Sequence, residues 1–144
     1  MIRSFVLAGS LVLIAASAGA GEDGTDVITH ADCTKPQHAQ MIINHCSGLK
    51  FQTADKALSE VYERALATIK GAGNKARLEA AESTFLQYRS AQCALEAGMH
   101  DHGSVYSMVY TTCARLLTEA RTKELQTFLD CSLSADLSRC DTDK

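Results

Sequence analysis

The sequence predicts an all-α fold, an antiparallel helical bundle of about three helices stapled by disulfides. Apolar residues recur at three- and four-residue spacing over long stretches, proline occurs once, and no stretch shows the sustained alternation of a half-buried strand. Hydrophobic residues make up 46% of the 144-residue chain and charged residues 22%, so a core can form. The length fits one ordinary domain, and wholesale disorder is excluded.

The first 20 residues have the pattern of an export signal. Arg3 supplies a positive start, an apolar run follows at 5–16, and small residues at 18–20 form an A-x-A cleavage site. The run is too short to span a bilayer comfortably, so we predict cleavage before Gly21 and a periplasmic or secreted product without a membrane anchor. Residues 21–32 are acidic and contain glycine, which predicts a flexible leader.

The charge balance bears on the class of partner. The chain has a net charge of −3, and removal of Arg3 with the signal leaves −4. Proteins that bind nucleic acid normally carry a basic excess. We therefore expect no nucleic-acid partner.

Apolar periodicity divides the rest of the chain into three helices. Thr34 and Gln37 form a capping-box pattern with Pro36 in the first turn, which predicts the start of a long helix there. The spacing carries this helix to Lys70, with an interruption near 47–48. Its predicted buried face is Ala54, Leu58, Val61, Ala65 and Ile69.

The second and third helices are bounded by glycine-containing turns. The turn at 71–74 ends the first helix and caps the second, which ends at Gly98. The predicted face of the second helix is Leu78, Ala81, Phe85, Tyr88 and Leu95. Ser104 is the predicted N-cap of the third helix. Its predicted face is Tyr106, Val109, Cys113, Leu116, Leu117, Ala120, Leu125 and Phe128.

All six cysteines are expected to form disulfides, because an even number in an exported chain is typical of such a framework. They are Cys33, Cys46, Cys93, Cys113, Cys131 and Cys140. No C-x-x-C occurs, so a thioredoxin-like redox role has no support.

Hairpin geometry favours one pairing, and short sequence separation suggests a second. Cys93 and Cys113 lie ten residues either side of Gly103, at the same height on an antiparallel hairpin, and we predict that they are bridged. Cys131–Cys140 is the expected local clip.

The remaining pair, Cys33–Cys46, conflicts with an unbroken helix from Thr34. Thirteen helical residues span about 20 Å, whereas bridged Cα atoms lie within about 7 Å. Either the segment folds back before Cys46, or these two cysteines reach other partners.

The motifs in both halves of the chain resemble a known family. The first half carries Cys33, Gln40-Met41, Cys46, Ala54-Asp55, Leu58 and Tyr62. The second half carries Ala81-Glu82, Phe85, Tyr88-Arg89, Ala91, Cys93, Gly103-Ser104, Cys113, Thr118 and Arg121. In this order and spacing, residues 33–130 resemble the LprI-like lysozyme-inhibitor domain, also called DUF1311. Residues 131–144 are then a C-terminal tail.

The resemblance implies a helical fold, a bacterial envelope location and the family's namesake activity, inhibition of lysozyme. The chain departs from the family pattern at Phe85, where Trp is usual, at Phe51, where Tyr is frequent, and at Ser59, where Asn is frequent. His102 stands in place of the first glycine of a Gly-Gly-Ser turn. This last change falls in the loop where function is expected.

The loop from Gly98 to Ser104 is the candidate partner-binding site. It gathers His100, Asp101, His102 and Ser104 at the tip of the predicted hairpin, above the predicted bridge. Muramidases act with two carboxylates in a groove, and histidine or serine can donate hydrogen bonds to carboxylates. The loop is interpreted as a rigid plug, with Tyr106 as a candidate anchor. The alternative is a solvated turn in which Ser104 only caps the third helix.

Two arginines on otherwise apolar helices are expected to be structural. Their stems can cover the core while the charges are paired. The arginines are Arg89 and Arg121, and the expected partners are Asp55, Glu82 or Glu119.

Metal, cofactor and catalytic signals are weak. Neither His100 with His102 nor His38 with His45 offers three close ligands, so no metal or cofactor is expected. The sequence contains no H-E-x-x-H, no G-x-S-x-G and no phosphate-binding glycine loop. We therefore predict no catalytic residues and no enzyme.

The first functional interpretation is a periplasmic or secreted inhibitor that occludes the groove of a lysozyme-type muramidase, which belongs either to a host or to the bacterium itself. The alternative is an envelope interaction module that binds another protein or the cell wall without inhibiting an enzyme. The third interpretation is an enzyme without a recognised motif.

Overall fold

The computed structural model describes residues 28–100 and 103–133. Within these ranges the chain forms three long helices and no strand: α1 (Gln40–Thr68), α2 (Ala72–Gly98) and α3 (Tyr106–Leu133). The predicted all-α bundle is confirmed. The predicted signal peptide lies outside the described residues, as do Asp101, His102 and most of the C-terminal tail.

α3 is the helix on which the other two pack. The Cys93–Cys113 bridge lies near the end of α2 and the start of α3, so these helices run antiparallel. The chain also reverses at 69–71 between α1 and α2. α1 and α3 therefore run in the same direction, and Arg64 on α1 donates a 2.6 Å hydrogen bond to Gln126 on α3.

The first helix begins at Gln40 and not at Thr34 as predicted. Cys33 and Cys46 are bridged with their Cα atoms 5.3 Å apart, which a helix through both residues would not allow. Of the two alternatives left open, the chain folds back before Cys46. The predicted interruption at 47–48 is absent, since α1 is continuous there.

α1 buries the face that its apolar spacing predicts: Ala54, Leu58, Val61 and Ala65. The faces predicted for α2 and α3 are wrong in part. On these helices the following predicted core residues are exposed: Ala81, Tyr88, Leu95, Leu116, Ala120 and Phe128. The physical reason is that the stripes facing the core contain charged and polar residues, which a search for apolar periodicity passes over.

Two apolar clusters form the core, one toward each end of the bundle. The cluster near the α1–α2 turn joins all three helices through Leu58, Val61, Ala65, Leu78, Leu125 and Leu129. The cluster near the α2–α3 loop consists of Cys93, Cys113 and Ala114, with Phe51, Tyr110 and Leu117 packed against it. On α3, the segment between the two clusters carries Thr118 and Arg121.

Arg89 joins all three helices in this middle layer. Its Nη1 donates to Asp55 Oδ1 on α1 at 2.6 Å and to Thr118 Oγ1 on α3 at 2.8 Å. Thr118 is fully buried, and its hydroxyl donates in turn to the carbonyl of Ala114 at 2.7 Å. The guanidinium also lies 5.1 Å from the centre of the Phe51 ring, a favourable cation–π distance.

Arg121 forms the second ion pair of the layer. Its Nε lies 3.1 Å from Glu82 Oε2, and the two side chains are 17% and 8% exposed. Arg121 also pairs with Glu124 at the surface, at 3.2 Å. The Phe85 ring lies under both guanidinium groups, 5.8 Å from that of Arg89 and 5.7 Å from that of Arg121. The expected pairing of the two arginines is confirmed, although Glu119 pairs with Arg115 instead.

We predict that Arg121→Met lowers the free energy of unfolding by about 3 kcal/mol, because it leaves Glu82 buried without its counter-ion. Replacing both residues, Arg121→Met with Glu82→Leu, removes the uncompensated charge and recovers most of this loss. Equilibrium unfolding in urea measures both effects.

The matched control is Arg115→Met on the same helix. The Arg115–Glu119 pair is more solvent-exposed, with side chains 27% and 49% accessible. Such pairs contribute at most about 1 kcal/mol. Equal losses for Arg115→Met and Arg121→Met would contradict the structural role of the buried pair.

Candidate functional site

The loop between α2 and α3 begins and ends with exposed residues. Met99 is 80% exposed, and His100 and Ser104 are exposed as well. The amide of Gly103 donates a 2.9 Å hydrogen bond to the carbonyl of His100. A Cβ at Gly103 would lie 3.0 Å from that carbonyl oxygen, so this close approach favours glycine.

A disulfide holds the two helices together below this loop. Cys93 and Cys113 are bridged with their Cα atoms 5.5 Å apart, which confirms the predicted pair. Both cysteines are buried, at 0% and 7% exposure. The bridge therefore limits how far the two ends of the loop can separate.

α1 holds the loop from a second side. Asn44 donates its side-chain amide to the carbonyl of Ser104 at 2.9 Å, and it accepts a 2.9 Å hydrogen bond from Gln40. One turn further along, the hydroxyl of Ser47 lies 2.7 Å from that of Thr111 on α3. Uncharged polar groups thus attach the first turns of α1 to the loop and to the start of α3.

The Cys33–Cys46 bridge fastens residues 33–39 against the start of α1. Asp32 organises this segment by accepting hydrogen bonds from the hydroxyl and the amide of Thr34, at 2.6 Å and 3.1 Å, and by pairing with Lys35 at 3.0 Å. These contacts, those of Thr34 first, lower the pKa of the Asp32 carboxyl. Gln37 donates to backbone carbonyls here and does not form the predicted capping box.

The structure describes only part of the predicted site. His100 and Ser104 lie at the exposed loop, while Asp101 and His102 lie outside the described residues. Tyr106 is half-buried at the start of α3. These positions leave the predicted plug as a proposal.

Ser104 is not the N-cap of α3. The amide of Tyr106 donates to Gly103 in a turn, and the first helical hydrogen bond runs from Val109 to the carbonyl of Val105 at 3.0 Å. Val105 therefore occupies the N-cap position. Ser104 lies one residue before the N-cap, outside the helix, and its carbonyl accepts the hydrogen bond from the side chain of Asn44.

Sequence reasoning missed the role of Gln40, Asn44 and Ser47. A signal was present, because these polar residues follow each other at helical spacing and form one polar stripe on α1. A stripe of this kind is usually interpreted as a solvated face. Here it faces the loop and α3.

A groove of about 950 Å³ lies at the other end of the bundle, beside the turn between α1 and α2. Its walls combine apolar and cationic side chains, among them Ile69, Lys70, Arg77, Leu78 and Phe128. None of the predicted site residues lines it.

Further along, Tyr62 faces two acidic residues of α2. Burial first, and then the charges of Glu79 and Glu82, raise the pKa of the Tyr62 hydroxyl. The ring of this tyrosine packs against the apolar cluster near the α1–α2 turn.

Two further findings concern the described residues alone. No three His, Cys, Asp or Glu side chains among them lie close enough together to hold a metal ion. None of the described helices is long and apolar enough to cross a membrane.

Together these features define a class: a small, disulfide-bonded helical bundle that presents a tethered loop at one end. The model of the family called lysozyme inhibitor LprI matches residues 32–125, which is more than half of the chain. The chain therefore belongs to the LprI family.

The chain is also similar to two known proteins. An uncharacterized protein from Rhizobium meliloti strain 1021 is 28% identical over 111 residues, which cover 69% of this chain and 79% of that protein. The crystal structure of a DUF1311 family protein from Pseudomonas putida KT2440 is similar in fold, with a TM-score of 0.55 and 19% identity. The match between the two structures covers 78% of this chain and 100% of the Pseudomonas chain.

We predict that Cys93→Ala with Cys113→Ala lowers the free energy of unfolding by about 3 kcal/mol, because the bridge closes a loop of 20 residues. Hydrogen exchange of the loop amides should also accelerate, because the two helix ends can then separate. The control is Arg64→Met, which removes an exposed hydrogen bond to Gln126 toward the other end of the bundle and should leave exchange in the loop unchanged. Unchanged exchange in the loop of the Cys93/Cys113 variant would contradict the tethering role.

Proposed function

We propose that the protein inhibits a lysozyme-type muramidase and that the loop between α2 and α3 occludes the enzyme's groove. Membership in the family named for lysozyme inhibition is the observation that carries this proposal. The partner is the muramidase of a host or one of the bacterium's own wall hydrolases.

The geometry of the loop supports the occluding role. The loop is fastened by the Cys93–Cys113 bridge and by the hydrogen bond from Asn44, so it loses little conformational entropy when it docks. Met99 and His100 protrude at its first half. In a muramidase groove, histidine donors would meet the two catalytic carboxylates, and Met99 would contribute apolar contact.

The disulfides support a location outside the cytoplasm. The two bridges among the described residues are typical of proteins that fold in an oxidising compartment. The export signal at 1–20 adds to this, and we propose a periplasmic or secreted mature chain that starts at Gly21. N-terminal sequencing of the exported protein tests the cleavage site.

The function is tested by the clearing of a cell-wall suspension by lysozyme, with and without the purified protein. We expect stoichiometric protein to slow the loss of turbidity for at least one lysozyme type. Normal clearing with every type, at excess inhibitor, would contradict the inhibitor proposal.

A second function is favoured by the groove at the other end of the bundle, whose walls combine apolar and cationic side chains. In this alternative the protein is an envelope interaction module that binds another protein or the cell wall and inhibits no enzyme. A pull-down from envelope extract, combined with unimpaired wall clearing, would favour it.

We predict that His100→Ala with His102→Ala weakens muramidase inhibition by about 1–3 kcal/mol, because hydrogen bonds to buried carboxylates are lost. Thermal stability should hardly change, since His100 is exposed and supports no core. The inhibition constant and the melting temperature measure the two effects.

The matched control is His38→Ala, which removes an exposed histidine from the segment before α1. It should leave inhibition unchanged. If the double variant inhibits as well as the parent protein, the loop is not the inhibitory element.

A further inference from the structure

The outer surface of α2 is unusually poor in charge for this protein. Charged residues make up 22% of the chain, yet the exposed positions between 83 and 95 on α2 carry none. They are Ser83, Thr84, Leu86, Gln87, Tyr88, Ser90, Ala91, Ala94 and Leu95. The one charged residue in this stretch, Arg89, faces inward to Asp55.

A continuous stripe along this helix, here called the outer seam, consists of Ala81, Thr84, Tyr88, Ala91 and Leu95. Its residues follow each other at spacings of three and four, which is the pattern of a helix-pairing seam. Tyr88 is 53% exposed and Leu95 67%. Tyrosine is enriched in the cores of protein interfaces, and charged residues are depleted there.

We propose that the outer seam pairs with the same seam of a second copy of this chain, with the two α2 helices antiparallel. A charge-free seam does not repel its own copy, so a two-fold symmetric contact is self-complementary. This inference does not depend on the proposed inhibition of muramidase.

Charges at the two ends of the seam select the antiparallel arrangement. Arg77 is exposed at one end and Glu96 at the other. In an antiparallel pair centred between Leu86 and Gln87, Arg77 of each copy lies opposite Glu96 of the other. A parallel pair would instead bring identical charges together, which is unfavourable.

The size of the seam indicates a weak dimer. The helical stretch from Arg77 to Glu96 is about 30 Å long. A single pair of helices of this length is near the lower limit for a specific interface, which is about 1,000 Å² in total. In the antiparallel arrangement the two α2–α3 loops lie at opposite ends of the pair, and both stay accessible.

Sedimentation equilibrium from micromolar to millimolar concentration tests the proposal on the mature chain. We expect a reversible monomer–dimer equilibrium. Tyr88→Ser and Leu95→Ser should each raise the dimer dissociation constant at least about tenfold, as truncation of a buried anchor does. Unchanged urea unfolding in dilute solution shows that these variants still fold.

The matched control is Leu86→Ser on the same helix. Leu86 is 42% exposed but lies off the seam, in the groove that Tyr62 lines. Its replacement should leave the dimer dissociation constant unchanged.

Charge exchange tests the direction of pairing. Arg77→Glu alone and Glu96→Arg alone should each weaken the dimer, and the two together should restore it. A chain that is monomeric at millimolar concentration overturns the proposal, as does a dimer that Leu95→Ser leaves intact. The proposal is also overturned if the protein is a monomer and Tyr88→Ser abolishes its inhibition of muramidase. The outer seam would then contact the enzyme.

Discussion

The relative positions of the three helices depend on the ion pairs and hydrogen bonds that two arginines, Arg89 and Arg121, make in the middle of the bundle. Arg89 reaches Asp55 on α1 and Thr118 on α3, while Arg121 reaches back from α3 to Glu82 on α2. Among the described residues, no buried side-chain nitrogen or oxygen lacks a hydrogen-bond partner. A charged layer permits few alternative registers, since a shift of one helix would leave a buried charge unpaired.

The same layer contains several of the residues that carry the family resemblance. Asp55, Glu82, Arg89, Thr118 and Arg121 are among the residues on which the resemblance was identified, and all of them lie in this layer. They hold the three helices together.

The predictability of the fold from sequence differed between helices for a physical reason. The buried face of α1 is predicted correctly because its core residues are apolar throughout, from Ala54 to Ala65. The buried face of α2 is predicted wrongly because its inward stripe contains Glu82 and Arg89, while apolar Tyr88 and Leu95 point outward. The position of the α2–α3 loop and the Cys93–Cys113 bridge are predictable from glycine position and cysteine spacing. The attachment of the loop to α1 is not predictable in this way, because that contact is long-range and made by ordinary polar residues.

The central position of α3 has a consequence for how the chain acquires its structure. Both apolar clusters include residues of α3, such as Ala114 in one and Leu125 in the other. A chain that ends before this helix has a connected pair of helices but no completed core and no partner for Cys93. Folding of the bundle therefore waits until the third helix has been synthesised.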